Sequence, residues 1–304
     1  MKKLLFIVAA MFAAVSFSSC DKDDDNKDDD NGGGSDFARP TDPNDVCSYM
    51  DDLVFMKYCY ALFDFNEDGK VSKTEANAVT KIDLTGADVK TLTGIGYFPN
   101  LEIINCKYCD RLTSVDLSHN LKITEIQEIA FADCFNLESI ILPNSVTRIG
   151  ISAFAGCRSL TNITIPNSVT TIEGSAFYDC SSLTNITIPN RVTRIGISVF
   201  NGCSSLTNIT IPNSVTTIED SAFNGCSSLT NITIPNSVTF IGDSAFDKCS
   251  KLKEIYCTPT NPPTLESNKV FYSIVLYVPR ESVEAYKTAD VWKEYANQIV
   301  GYDF

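Results

Sequence analysis

The chain has 304 residues, 44 % of them hydrophobic and 10 % aromatic, which is ample for a sizeable core. Its formal net charge of −14 and pI near 4.5 exclude a phosphate-backbone binder, which needs a basic face to displace counterions. Seven aspartates fall within residues 21–30, whereas Leu137–Lys251 balances six cations against seven anions, so the surface there is mostly uncharged Ser, Thr and Asn.

The N-terminus reads as a targeting segment. Lys2 and Lys3 precede the apolar run Leu4–Val15, too short for a spanning helix of about 20 residues. The run ends in SFSSC and is followed by Asp21. This resembles a bacterial lipoprotein signal, which implies a signal peptide over 1–19, with Cys20 the lipidated first residue of the mature protein. Phe17 departs from the aliphatic residue usual there, and ordinary signal cleavage with Cys20 a bystander is the alternative. The aspartates after Cys20 resemble the acidic signal that sends Bacteroidetes lipoproteins to the outer face of the outer membrane. Like charges this dense repel one another and bury no apolar surface, so 20–44 is expected to be a disordered Asp-rich tether.

Residues 45–80 are expected to form a helical N-terminal cap. Cys47, Met50, Leu53, Val54 and Leu62 lie at helical spacing across Val46–Phe63. Asp64–Glu75 then reads DFNEDGKVSKTE, matching the EF-hand calcium loop D-x-[DN]-x-[DN]-G-x5-E. A hard cation takes six to eight oxygens. Asp64, Asn66 and Asp68 supply side-chain oxygens, Gly69 permits the turn, and Lys70 offers its carbonyl. Ser72 lies where a water usually intervenes, and Glu75 can bind with both oxygens. Val71 anchors the loop, and a short helix is expected over Ser72–Thr80. A single loop points to a structural Ca2+ rather than a sensor; the alternative is a turn that never fills.

Residues 81–257 carry the repeats. The segment CSSLTNITIPN occurs unchanged at Cys180–Asn190, Cys203–Asn213 and Cys226–Asn236. Units begin at Leu137, Leu160, Leu183, Leu206 and Leu229, a 23-residue period. Within Asn162–Ile165 the alternation predicts a short strand with Ile163 and Ile165 inward, ended by Pro166. One strand per unit at this period describes a solenoid, whose units hide their apolar sides only by stacking. Upstream, Ile82–Asn120 fits the general LxxLxLxxN spacing, and roughly eight coils are expected. TRIG and TTIE alternate from unit to unit, which can place each arginine beside a glutamate on the next coil. Of twelve cysteines, Cys134, Cys157, Cys180, Cys203, Cys226 and Cys249 recur 23 apart. Equivalent positions on a stack point the same way, so an unbridged internal ladder is expected. Residues 258–304 are expected to form an α/β cap, with a strand ending at Val278-Pro279, short helices over Ser282–Lys287 and Ala289–Gln298, and Tyr286 and Trp292 covering the last coil.

The pattern IxIPxSVxxIxxxAFxxCxxL resembles the BspA-like leucine-rich repeats of bacterial surface proteins. The resemblance implies an α/β solenoid with a role in adhesion to host or matrix proteins or to other bacterial surface molecules. Catalysis is not expected: Cys106 and Cys109 fall on repeat positions, His119 is the one histidine, and the repeat carboxylates have no evident paired partner. The expected docking face is the outward half of the strands: Thr161, Asn162 and Thr164, with Thr184, Asn185 and Thr187, Thr207, Asn208 and Thr210, and Thr230, Asn231 and Thr233. A glycan-capturing lipoprotein is the second reading, weakened by the lack of aromatics among these rows.

Overall fold

The computed structural model of the protein describes residues 43–271 and 274–304. The signal segment 1–19, Cys20 and the tether up to residue 42 lie outside the described residues. Among the described residues no helix is long and apolar enough to cross a membrane.

Each repeat makes one coil. In Asn162–Ile165 the burial alternates exposed, buried, exposed, buried, as the sequence pattern requires. Parallel pairing stacks these strands in register, Asn162 beside Asn185 beside Asn208. Further coils extend the same wall through Asn231–Ile234, Glu254–Cys257, Val275–Pro279 and Ile299–Tyr302. After each strand the proline carbonyl accepts from the valine three residues on, as in Val169 N to Pro166 O at 3.0 Å, and the chain turns.

A second strand per coil, absent from the sequence reading, follows that turn. Arg148–Ile149 pairs with Thr171–Ile172, and Arg194–Ile195 with Thr217–Ile218 and then Phe240–Ile241. At two residues each, these strands are too short to leave an alternation in the sequence. The solenoid winds about 10 turns rather than eight, because the strands Val275–Pro279 and Ile299–Tyr302, beyond the expected end of the repeats, continue the stack.

The core lies between the two walls. Leu160, Ile163, Ile165, Val169, Ile172, Phe177 and Cys180 are all buried, and so are their counterparts in each unit. The phenylalanines Phe131, Phe154, Phe177, Phe200, Phe223 and Phe246 stack ring on ring, with centroids 5.4 to 5.7 Å apart along the ladder. The cysteines form the expected second ladder and all described ones are free. Each repeat thiol donates to a main-chain carbonyl of the preceding coil, Cys157 to Phe131 at 3.1 Å and Cys180 to Phe154 at 3.1 Å. The ladder is therefore a set of coil-to-coil hydrogen bonds as well as a set of small apolar side chains. Charges pair across coils as the alternation suggested: Arg148 bridges Glu125 and Glu173, and Arg194 meets Glu219.

The N-terminal segment differs from its predicted helix. A 3-10 turn, Val46–Tyr49, is followed by an α-helix, α1, over Leu53–Phe63. Asp52 caps α1 by accepting from Val54 N and Phe55 N, which resets the helical phase. Cys47 and Met50 are buried as expected, but Leu53, Val54 and Leu62 are 47 %, 40 % and 52 % exposed. Phe55, Met56, Cys59 and Phe63 take the inner face instead. Helix α2, Lys73–Ala76, is only four residues long. At the other end, Arg280–Ser282 and Trp292–Gln298 are 3-10 turns flanking a single α-helix, α3, at Val283–Thr288. Tyr286 and Trp292 are fully buried, pack edge to face at 4.7 Å, and donate to the carbonyls of Pro259 and Pro263.

Candidate functional site

All twelve residues assigned to the docking face are exposed and carried on one wall. Between Thr161 and Thr233 its outward rows contain no charged side chain. Part of this uniformity is structural. Thr184 Oγ1 donates to Thr161 O at 3.1 Å and Thr207 Oγ1 to Thr184 O at 3.4 Å, tying coil to coil. The amides of Asn162, Asn185 and Asn231 donate to the preceding threonine hydroxyl. The third row, Thr164, Thr187, Thr210 and Thr233, makes no side-chain hydrogen bond among the described residues. Those hydroxyls are exposed to solvent.

That row leads to a feature that sequence reasoning missed. Thr233 lies beside Tyr256, and Tyr256 beside Tyr277, on successive paired strands. The two tyrosine rings stack at 4.9 Å, and Tyr302 meets both edge on. Tyr302 and Phe304 are exposed. The uncharged rows thus end in an aromatic cluster. The signal was diluted because the residues come from three segments outside the regular repeats.

The 64–75 loop is organised by its own backbone. Asp64 accepts from Asp68 N (3.1 Å) and Gly69 N (2.8 Å), Asn66 Oδ1 from Asp68 N (3.0 Å), and Asp68 Oδ1 from Lys70 N (3.0 Å). Gly69 adopts φ +83°, which glycine reaches without strain. The structure therefore brings Asp64, Asn66 and Asp68 together. Glu75 instead serves a capping box: Ser72 Oγ accepts from Glu75 N, and Glu75 Oε2 from Ser72 N at 2.8 Å. Its Oε1 accepts from Phe65 N and Asn66 N, so the carboxylate lies against the start of the loop. Burial raises the Glu75 pKa, but the donors on Ser72, Asn66 and Phe65 outweigh that and hold it below the ordinary value. No group of three His, Cys, Asp or Glu residues among the described residues is placed to hold a metal as it stands. The donor set, hard oxygens from three carboxylates, an amide and a carbonyl, fits calcium chemistry.

The remaining candidates separate cleanly. Cys106 and Cys109 are buried in the core, Cys109 donating to Leu84 O at 3.0 Å. His119 pairs with Ser118 Oγ at 3.1 Å on the rim of an open cleft also lined by Tyr97 and Asp116.

Parallel coils with inward leucine, isoleucine and cysteine ladders define a leucine-rich repeat solenoid. The chain belongs to the BspA type leucine-rich repeat family, whose repeat region matches in six copies over residues 124–253 and 171–276, together half of the chain. It is similar in structure to a leucine-rich repeat protein of T. pallidum, at 32 % identity over 62 % of this chain and 84 % of that one, with a TM-score of 0.47. A leucine-rich repeat protein from Bacteroides ovatus is 28 % identical over 66 % of this chain (TM-score 0.42), and this chain spans 55 % of its length. A leucine-rich cell surface protein from Faecalibacterium prausnitzii is 27 % identical over 61 % of this chain and 62 % of that one, with a TM-score of 0.39. No curated protein matches the chain.

Proposed function

We propose that the protein is a non-enzymatic surface lipoprotein whose solenoid binds partner proteins. It is anchored in the outer membrane through Cys20 and held off the surface by the acidic tether. The observation that carries this is the continuous uncharged face, whose third row of threonine hydroxyls repeats over four consecutive coils with no side-chain hydrogen bond among the described residues. A face of this kind offers the same hydrogen-bonding groups at each strand spacing, about 4.8 Å, and suits an extended protein surface from host, matrix or another bacterium. Family membership supports a binding role rather than catalysis.

The N-terminal helical segment and the C-terminal segment act as caps over the open ends of the stack, which would otherwise expose core. The loop holds a structural Ca2+ through Asp64, Asn66, Asp68, the Lys70 carbonyl and Glu75, with Ser72 fixing Glu75. When bound, the ion supplies charge that gathers these oxygens and ties α1 to α2. The Asp52 carboxylate already joins α1 to the first coils through Lys90 N at 2.7 Å, so a stiff loop is transmitted to the solenoid.

A glycan is the second reading, favoured by the Tyr256, Tyr277 and Tyr302 cluster at the end of the polar rows. The two are separated by presenting the mature chain to immobilised matrix proteins and to a glycan array, each in calcium and in EDTA. The account expects signal on matrix proteins; signal confined to glycans and abolished by Tyr302→Ala would replace it with the second reading.

A further inference from the structure

The calcium loop has a neighbour whose role is not explained by packing alone. Asp45 is fully buried, one of few buried charged residues. Its Oδ1 accepts from Cys47 N at 3.0 Å and from Val71 N at 3.1 Å, and its Oδ2 accepts from the Tyr60 hydroxyl on α1. The backbone adds to this: Val46 N donates to Val71 O at 2.9 Å, and Asp45 bridges Ser72 antiparallel. Both backbone polar groups of Val71 are therefore held by Asp45 and Val46, far earlier in the chain. Val71 stands between Lys70, whose carbonyl is a proposed ligand, and Ser72, which positions Glu75 through the capping box.

We propose that Asp45 is a positioning residue for the calcium loop. The proposal rests on the calcium reading given above. Asp45 anchors the middle of the loop to α1 through Tyr60 and to the preceding turn through Cys47, so that the Lys70 carbonyl and the Glu75 carboxylate are oriented before the ion arrives. A loop of Asp, Asn and Gly residues left free would have to be ordered on binding, and pre-ordering removes that cost from the affinity. The geometry also explains how a solitary loop serves: the Asp45–Val46 segment supplies the backbone partner that fixes its centre.

The variants distinguish positioning from general support of the helix. Asp45→Ala removes every side-chain acceptor at once. Asp45→Asn keeps one oxygen for the Val71 and Cys47 N–H groups and is the conservative rescue. Tyr60→Phe leaves Asp45 in place but deletes the hydroxyl that steadies it. Tyr58→Phe is the control on the same helix: its hydroxyl accepts from Asp83 N at 3.0 Å and does not touch the loop.

The probe is CaCl2, titrated calorimetrically into the full chain, with circular dichroism to show that the solenoid is folded. Losing a buried hydrogen-bonded anchor of this kind is worth about tenfold in Kd. The expected order of weakening is Asp45→Ala, then Asp45→Asn and Tyr60→Phe, with Tyr58→Phe unchanged, and the rise in Tm on adding calcium shrinks in the same order. Wild-type affinity in both Asp45→Ala and Tyr60→Phe overturns the proposal while leaving the calcium reading intact. Equal weakening in Tyr58→Phe overturns it in favour of simple helix support. A wild-type chain that takes up no calcium, with Glu75→Gln behaving identically, overturns the calcium reading itself and the proposal with it.

Discussion

Truncating Phe177 to alanine tests whether the stack is held by its internal ladder. The ring is fully buried, 5.5 Å from Phe154 and 5.7 Å from Phe200, with planes within 7° of both. Phenylalanine-to-alanine changes in a close-packed core cost about 3–5 kcal/mol through lost burial and the cavity left behind. Phe177 also loses two ring neighbours, each worth about 0.5–1.5 kcal/mol beyond burial. Phe131, at the end of the ladder, stacks on Phe154 alone. Phe131→Ala should therefore be milder than Phe177→Ala by about 1 kcal/mol. Urea unfolding followed by far-UV circular dichroism measures both, and native-state hydrogen exchange should locate the loosening in the coils flanking residue 177. A cost below about 2 kcal/mol for Phe177→Ala, or an equal cost for Phe131→Ala, would refute the ladder as the main coupling between coils.

Three further outcomes follow from the side-chain environments. The six repeat cysteines, Cys134, Cys157, Cys180, Cys203, Cys226 and Cys249, should resist alkylation in the native protein at pH 8, because burial pushes their thiols up, Cys134 and Cys249 to about 12. Cys109, pulled down by its hydrogen bond with Cys106, should be the first to react as the protein is loosened with denaturant; mass spectrometry reads the order. Glu75 has a folded pKa below its unfolded value, so its stabilisation is present above the ordinary value of 4.5 and is lost as the pH falls through the lower folded value. Thermal melts in EDTA from pH 6 to pH 3 should show this loss, and Glu75→Gln should flatten it. Arg148→Ala should cost less than about 1 kcal/mol in urea melts despite its two glutamate partners, since the pairs are solvent-screened.

The sequence made the first strand wall legible because a period of two survives in four residues: Asn162, Ile163, Thr164 and Ile165 fix which side faces inward. It made the cysteine ladder legible because equal spacing on a stack forbids facing thiols. What those thiols bond to was hidden, since the Phe131 and Phe154 carbonyls that accept from Cys157 and Cys180 lie 26 residues away. The second wall escaped notice because pairs such as Thr171–Ile172 are too short to show alternation. At the N-terminus the error had one cause: Asp52 caps a new helix, so Leu53, Val54 and Leu62 rotate outward. The loop itself was readable from spacing, whereas the contact of Asp45 with Val71, 26 residues apart and in no motif, was not. The tyrosine cluster was missed for the same reason, its members meeting only when successive coils stack.

The most direct test of the binding face is the joint replacement of Asn162, Asn185, Asn208 and Asn231 by lysine, which lays a charged column along the exposed rows and leaves the buried ladders untouched. Binding of this variant and of the wild type to the same immobilised matrix proteins should be compared by surface plasmon resonance at physiological salt, with circular dichroism confirming the fold. The account predicts that wild-type binding is lost in the lysine variant. Undiminished binding by a folded variant would contradict it and move the docking site elsewhere on the solenoid.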